Sequence, residues 1–195
     1  MVHELERTGA RHIELPLHSK NPYVMRLNIA RLKELIAAEG VDLLHARSRA
    51  PAHSAIAAAR QSNIRFVTTF HATYNFSTPP KRWYNSVMAK GERVIAISNA
   101  LKEHITGHYD VNPARIKVIH RGIDLERFDP LKVSAERVIQ LSRQWRLPDG
   151  VPVVLLPGRL TGWKGQSILI EALAQLGHKQ IRCLLVGSDQ GRTGY

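Results

Sequence analysis

Cysteine is almost missing from this chain of 195 residues: the single one, Cys183, lies in the apolar run from Ile181 to Val186. One thiol makes no disulfide framework, which points to a reducing compartment, and its setting reads as a buried strand residue rather than a nucleophile. Long apolar runs are missing too. None approaches the roughly 20 residues that carry a helix across a bilayer. The opening residues, Met1 to Arg7, contain no apolar signal-peptide core, so the expected location is the cytoplasm, including the inner face of the membrane. Acids are scarce: 16 Asp and Glu stand against 28 Lys and Arg, for a formal charge of +12. That excess favours an anionic partner, whether nucleic acid, anionic lipid or a phosphorylated substrate. The cations are dispersed and no RNA- or DNA-binding signature accompanies them, so no nucleic acid is expected.

What is present is an alternation of short apolar runs and helical patterns. Leu5-Glu6-Arg7 reads as a helix tail capped by Gly9, and residues 12–17 as a short strand. Asn21-Pro22 starts a helix to about Ala38 with Leu27, Ala30, Leu32, Leu35 and Ile36 on its apolar face. Strands are expected at 41–45, 66–70, 93–97 and 117–119. Helices are expected at 51–61, 82–89 and 99–108, the last capped by Ser98. This rhythm is that of a parallel, doubly wound α/β sheet. It breaks near Asp129-Pro130. After a helix over 134–145 it resumes with a strand at 153–156, a helix at 166–176 and a strand at 181–186. The reading is two domains: 1–130, a linker and helix over 131–150, and 151–195, the second with only two strands.

In open parallel sheets ligands bind beyond the carboxyl ends of the strands. Those ends carry His45 and Arg47, His71, Ser98, His120-Arg121-Gly122, and Gly158-Arg159. The densest of them is Pro157-Gly158-Arg159-Leu160-Thr161-Gly162-Trp163-Lys164-Gly165, between an apolar strand and a helix start. A helix N-terminus offers free N–H groups and the positive end of its dipole. Arg adds a planar fork and Lys a point charge for phosphate oxygens. The loop therefore reads as a diphosphate site; the plain alternative is a solvated basic turn. It is neither a Walker A loop, since Trp163 stands where the second Gly belongs, nor a G-x-G-x-x-G fingerprint.

Other constellations are weaker. His104 and His108, four apart on one helix, have no third ligand at matching spacing, so no metal is expected. Ser98 lacks the flanking glycines of a nucleophile elbow. Lys81-Arg82-Trp83-Tyr84 mixes cations with aromatics, as at an anionic membrane surface or a base-stacking platform, and equally as a solvated helix start.

Five segments taken together resemble a known family. Gly158 to Gly165 is similar to the "G-R-x-x-x-x-K-G" segment of the retaining glycosyltransferases of family 4. Thr69-Phe70-His71 resembles their "T-x-H" strand end, and Val94-Ile95-Ala96-Ile97-Ser98 their "V-I-A-x-S". Val118 to Asp124, with Phe128 and Pro130, resembles "V-I-P-N-G-V-D…F-x-P". Leu184-Leu185-Val186-Gly187 resembles the strand before the nucleoside loop. The segments fall in family order along nearly the whole chain.

The resemblance implies a GT-B fold of two Rossmann-like parallel-sheet domains, the second truncated, and transfer of a sugar from a nucleoside diphosphate to an acceptor hydroxyl with retention. It implies that Arg159 and Lys164, on the loop opened by Gly158, bind the donor diphosphate and stabilise the leaving group. His71 would lie near the transferred sugar and the acceptor. Gly122 would allow close approach at the donor, and Gly187 would lie near the nucleoside. No metal and no separate cofactor are implied. The acceptor expected is a lipid-linked or lipopolysaccharide-type glycan, with peripheral contact at an anionic membrane.

His120-Arg121 departs from the family's Pro-Asn. The family's N-terminal glycine-rich loop and its "E-x7-E" motif have no counterpart, so the chain is expected to be an internal piece, inactive alone. Two alternatives keep the fold: a non-catalytic remnant or binding module, and a sugar-nucleotide epimerase.

Overall fold

Short, largely apolar runs, most of them followed by a helix, build a parallel sheet in the first part of the chain. The computed structural model describes residues 2–74, 77–177 and 180–191. By contacts the chain divides into two units, Met1–Gly122 and Ile123–Tyr195.

In the first unit, strands β1 (Leu43–Ala46), β2 (Arg65–Phe70), β3 (Arg93–Ala96) and β4 (Ile116–Val118) pair in that order, all parallel. The register aligns Ala46 with Thr68, Thr68 with Val94 and Val94 with Ile116. This row lies on one face, and burial falls on it: Ala46, Thr68, Val94 and Ile116 are all buried. Helices α3 (Arg49–Gln61) and α5 (Asn99–His108) contact these strands, while α2 (Pro22–Glu39) packs on α3. Fully buried Phe70, Met88 and Ile105 fill the space between, each worth roughly 1.5–3 kcal/mol of apolar burial. The strands run in sequence order, so the reversal of a doubly wound sheet does not lie among the described residues.

Most expected elements form within a residue or two, and their ends have identifiable causes. The first helix, α1 (Val2–Arg7), ends ahead of Gly9 at φ 81°. Asn21 caps α2 by accepting from the Tyr23 N–H, and Gly40 closes it in the left-handed region. Ser98 accepts from the Leu101 N–H at the start of α5. The strand expected from Val41 begins instead at Leu43, because the Val41 N–H bonds Ile36 O and still belongs to the helix end. Helix α4 (Pro79–Ser86) begins before Arg82, since Pro79 and Pro80 suit a first turn whose N–H groups have no partner. A 3-10 turn, Val87–Ala89, completes it.

Three expectations fail, the first at Cys183, which is half-buried and not buried. Residues 12–17 form no strand. Pro16 removes a ladder donor in mid-run, and its carbonyl accepts from Asn28 Nδ2 at 3.0 Å. On α2, Leu27 is exposed, and the buried stripe runs through Asn28, Leu32 and Ile36.

The second unit contains α6 (Ala135–Gln144), β5 (Val153–Pro157), α7 (Gln166–Leu176) and β6 (Arg182–Val186). The two strands are parallel, from Val153 opposite Arg182 to Pro157 opposite Val186. Among its described residues only Gln166 is fully buried. No helix of the described residues is long and apolar enough to cross a membrane.

Candidate functional site

Because β1 to β4 are parallel, their carboxyl ends share one edge, and the first unit concentrates its polar chemistry there. His71 follows β2 directly. Its Nε2 lies 3.3 Å from Arg47 Nε, beyond β1, and its Nδ1 lies 3.0 Å from an Arg121 Nη, beyond β4. A neutral imidazole has one acceptor nitrogen, so it accepts from one guanidinium at a time. A protonated ring would face both with no acceptor at all. Burial, then Arg47, Arg121 and His45 in turn, hold the His71 pKa below its usual value. The ring is therefore neutral between two fixed positive charges, its one lone pair accepting from a guanidinium, and the two charges attract anions.

His45 supports this cluster from β1. Its Nε2 lies 2.7 Å from Thr69 Oγ1, and burial followed by the Arg47 charge lowers its pKa. Of the other strand-end groups, Ser98 is spent as the cap of α5. Gly122 has no atom within 4 Å of where a Cβ would stand, so packing within the protein does not demand a glycine there.

The second unit carries a candidate site of its own. Beyond the strand ends, Gly158 N bonds Val186 O at 2.8 Å and Leu160 N bonds Ser188 O at 3.1 Å, which extends the ladder into the loops. A Cβ on Gly187 would stand 1.8 Å from the Gly158 carbonyl oxygen. Gly187 is thus required by the close approach of the two loops. A 3-10 turn, Gly162–Lys164, then carries Trp163 outward, and Gly165, at φ 78°, turns the chain into α7.

The indole of Trp163 is bracketed by cations. Arg159 Cζ lies 5.6 Å and Lys164 Nζ 4.2 Å from its centroid. Arg159 also donates to Gln190 Oε1 at 3.4 Å. Buried Gln166 donates from Nε2 to the Arg159 carbonyl at 2.8 Å and so fixes the loop against the first turn of α7. Gly165 offers α7 no side-chain cap, and a helix start suits an anion. The sequence pointed to Arg159, Lys164 and Gly158. It gave no role to Trp163 or Gln166, although an aromatic between two cations and a Gln at a helix start were visible signals.

His104 and His108 stack at 4.4 Å, with His108 Nδ1 donating to the His104 carbonyl at 2.8 Å. No group of three metal-ligating side chains occurs among the described residues.

Comparisons with known proteins bear on the family and the fold. The profile of Glycosyltransferase Family 4 matches residues 2–127. The crystal structure of a glycosyltransferase from Rickettsia africae ESF-5 is 41% identical, with a TM-score of 0.82 over 98% of this chain and 50% of its own. Anabaena Alr3699/HepE, solved in complex with UDP-glucose, is 24% identical with a TM-score of 0.72, over 85% of this chain and 44% of its own; it speaks for the fold alone. The GPI3 subunit of phosphatidylinositol N-acetylglucosaminyltransferase from Saccharomyces cerevisiae is 25% identical over 164 residues, 80% of this chain and 35% of its own length. The chain thus spans half or less of the length of each of these relatives. Its architecture is that of the GT-B glycosyltransferases, with Rossmann-like parallel α/β sheets.

Proposed function

The chain belongs to Glycosyltransferase Family 4, and on that premise we propose that the protein moves a sugar from a nucleoside diphosphate to an acceptor hydroxyl, with retention. The observation that carries this reading is the Arg159–Trp163–Lys164 arrangement between β5 and the uncapped start of α7. As the bond from the sugar to the diphosphate breaks, negative charge grows on the phosphate oxygens. A guanidinium, an ammonium and helix N–H groups aimed there stabilise that charge more than they stabilise the ground state. Charge-assisted contacts of this kind are worth roughly 1.5–3 kcal/mol each. With two cations at the diphosphate, the proposed mechanism needs no metal.

The remaining roles follow from the same premise. His71, neutral between Arg47 and Arg121, is assigned to the neighbourhood of the transferred sugar and the acceptor hydroxyl. Gly122, with open space around it, admits a close-lying ligand, and the loop after Gly187 is assigned to the nucleoside. The +12 charge supports an acceptor presented at an anionic membrane, such as a lipid-linked or lipopolysaccharide-type glycan. HepE is solved with UDP-glucose, which makes UDP the first probe. In calorimetric titrations of the chain, UDP binds saturably, and Arg159→Ala with Lys164→Ala weakens it by about a hundredfold or more. Unchanged affinity in that double variant sinks the assignment.

A further inference from the structure

The first unit holds a cleft of about 640 Å³ to which nothing above assigns a ligand. Its walls are the starts of α3 and α4 and the loop before α2. Lys20, Arg49 and Lys81 line it, with His18, Tyr84 and Asn85, and no Asp or Glu is among the lining residues. Two cations of this unit have acidic partners, Arg11 with Glu39 and Arg65 with Glu92. None of the three cleft cations forms an ion pair among the described residues. Three positive charges gathered without a counter-charge repel one another, and a bound anion offsets that repulsion.

The cations are also arranged. Arg49 donates to buried Asn85 Oδ1 at 2.8 Å and lies 4.5 Å over the Tyr74 ring, so its guanidinium is held in place before any ligand arrives. Lys20 Nζ stands 6.0 Å from the Tyr84 centroid, and Tyr84 stacks on His53 at 4.7 Å. Both helix starts face the cleft with no side-chain cap from Ser48 or Thr78. In their first turns the N–H groups of Arg49, Ala50 and Lys81 lack intrahelical partners. Cations and N–H donors together match the oxygens of a phosphoryl group.

The cleft adjoins the His71 cluster. Arg47, two residues before Arg49, bonds the His71 ring at 3.3 Å, and Tyr74, three residues after His71, lies under the Arg49 guanidinium. We propose that this cleft binds a phosphoryl group of the acceptor and so presents an acceptor hydroxyl at His71. The inference rests on the glycosyltransferase reading for the word acceptor; the anion site itself does not. The phosphoryl group comes either from a soluble phosphate ester or from a lipid headgroup.

The test titrates the chain with glycerol 1-phosphate, with glycerol as the neutral control. It also floats the chain with vesicles of phosphatidylcholine alone or mixed equally with phosphatidylglycerol. Lys20→Gln with Lys81→Gln removes two exposed charges and leaves Arg49 and its packing intact. The expected result is saturable binding of glycerol 1-phosphate and none of glycerol, weakened about tenfold or more in the double variant, with UDP affinity unchanged. A soluble source gives binding without flotation; a headgroup gives flotation only with phosphatidylglycerol, reduced in the variant. Equal binding of glycerol 1-phosphate by both proteins, no saturable binding of either probe, or its displacement by UDP overturns the cleft site. Loss of UDP binding alone, with the phosphate ester still held by Lys20 and Lys81, overturns the donor reading and leaves the anion site standing.

Discussion

Gly187 and Gly158 meet backbone to backbone: a Cβ on Gly187 would lie 1.8 Å from the Gly158 carbonyl oxygen and 2.7 Å from its carbon. Neither atom belongs to a flexible side chain, so a methyl group there forces the two loops apart. Those loops carry the ladder bonds from Gly158 N to Val186 O and from Leu160 N to Ser188 O, and Arg159 lies between the two. Gly187→Ala is expected to destabilise the second unit by about 1–3 kcal/mol and to weaken UDP binding. Gly122→Ala meets no atom and is expected to change stability by no more than about 0.5 kcal/mol. Urea unfolding followed by tryptophan fluorescence separates the two. A neutral Gly187→Ala would contradict the close approach.

Trp163 is largely exposed, yet Arg159 and Lys164 both lie against its ring. The ring costs little stability to remove and holds two cations near one place. Trp163→Ala is expected to weaken UDP binding several-fold, in line with about 0.5–1 kcal/mol for each exposed cation–π contact. The unfolding midpoint should not move. Trp163→Phe keeps a ring face and should recover most of the affinity. A loss of stability equal to the loss of affinity would instead make Trp163 a packing residue.

Asn28 is fully buried on α2, donates to the Pro16 carbonyl at 3.0 Å and accepts from Arg31 at 3.4 Å. It anchors the loop that leads into the Lys20 cleft. Asn28→Ala leaves the Pro16 carbonyl without its donor and is expected to cost about 1–3 kcal/mol. Asn28→Leu should be no better, because the bulkier side chain still offers no donor. Hydrogen exchange at Leu17 and Ser19, whose N–H groups bond Leu15 O and Pro16 O, should speed up in both variants.

Asn28 also marks where sequence reading ends. Period located α7, and period with a start signal located α2 and α5, because Pro22 and Ser98 act through local backbone geometry. Burial is not local. A polar Asn took the core stripe in place of Leu27 because a carbonyl twelve residues away needed a donor. The Gly158–Gly165 loop was legible for the same reason the helices were: strand, glycines, cations and helix start are adjacent in sequence. The Arg47–His71–Arg121 cluster was legible only as strand ends on a common edge. Its ring-to-guanidinium contacts span up to fifty residues, a pairing that needs the sheet register. The Lys20–Arg49–Lys81 cleft joins one loop and two helix starts, and the sequence marked only one part of it, the run from Lys81 to Tyr84.

The His71 cluster makes the fold sensitive to acid. Burial first, then Arg47, Arg121 and His45, hold the His71 pKa below 6.5, and burial also lowers His45, His53 and His104. A histidine whose pKa is lower when folded binds fewer protons in the native state than in the unfolded one. Stability then rises with pH across the interval between the two values. These four groups contribute fully above about pH 6.5, and their contribution falls as pH drops below that value towards the folded pKa values. The urea midpoint of the first unit should therefore decrease from about pH 7.5 to about pH 5.5. His71→Gln should shrink that decrease, because a neutral amide keeps polar contacts and takes up no proton. Arg121→Gln removes a cation beside the ring and should raise the His71 midpoint in an NMR titration. A His71 midpoint at or above 6.5 in the unsubstituted chain, or one that Arg121→Gln leaves in place, would show that the ring does not sit between two guanidinium charges.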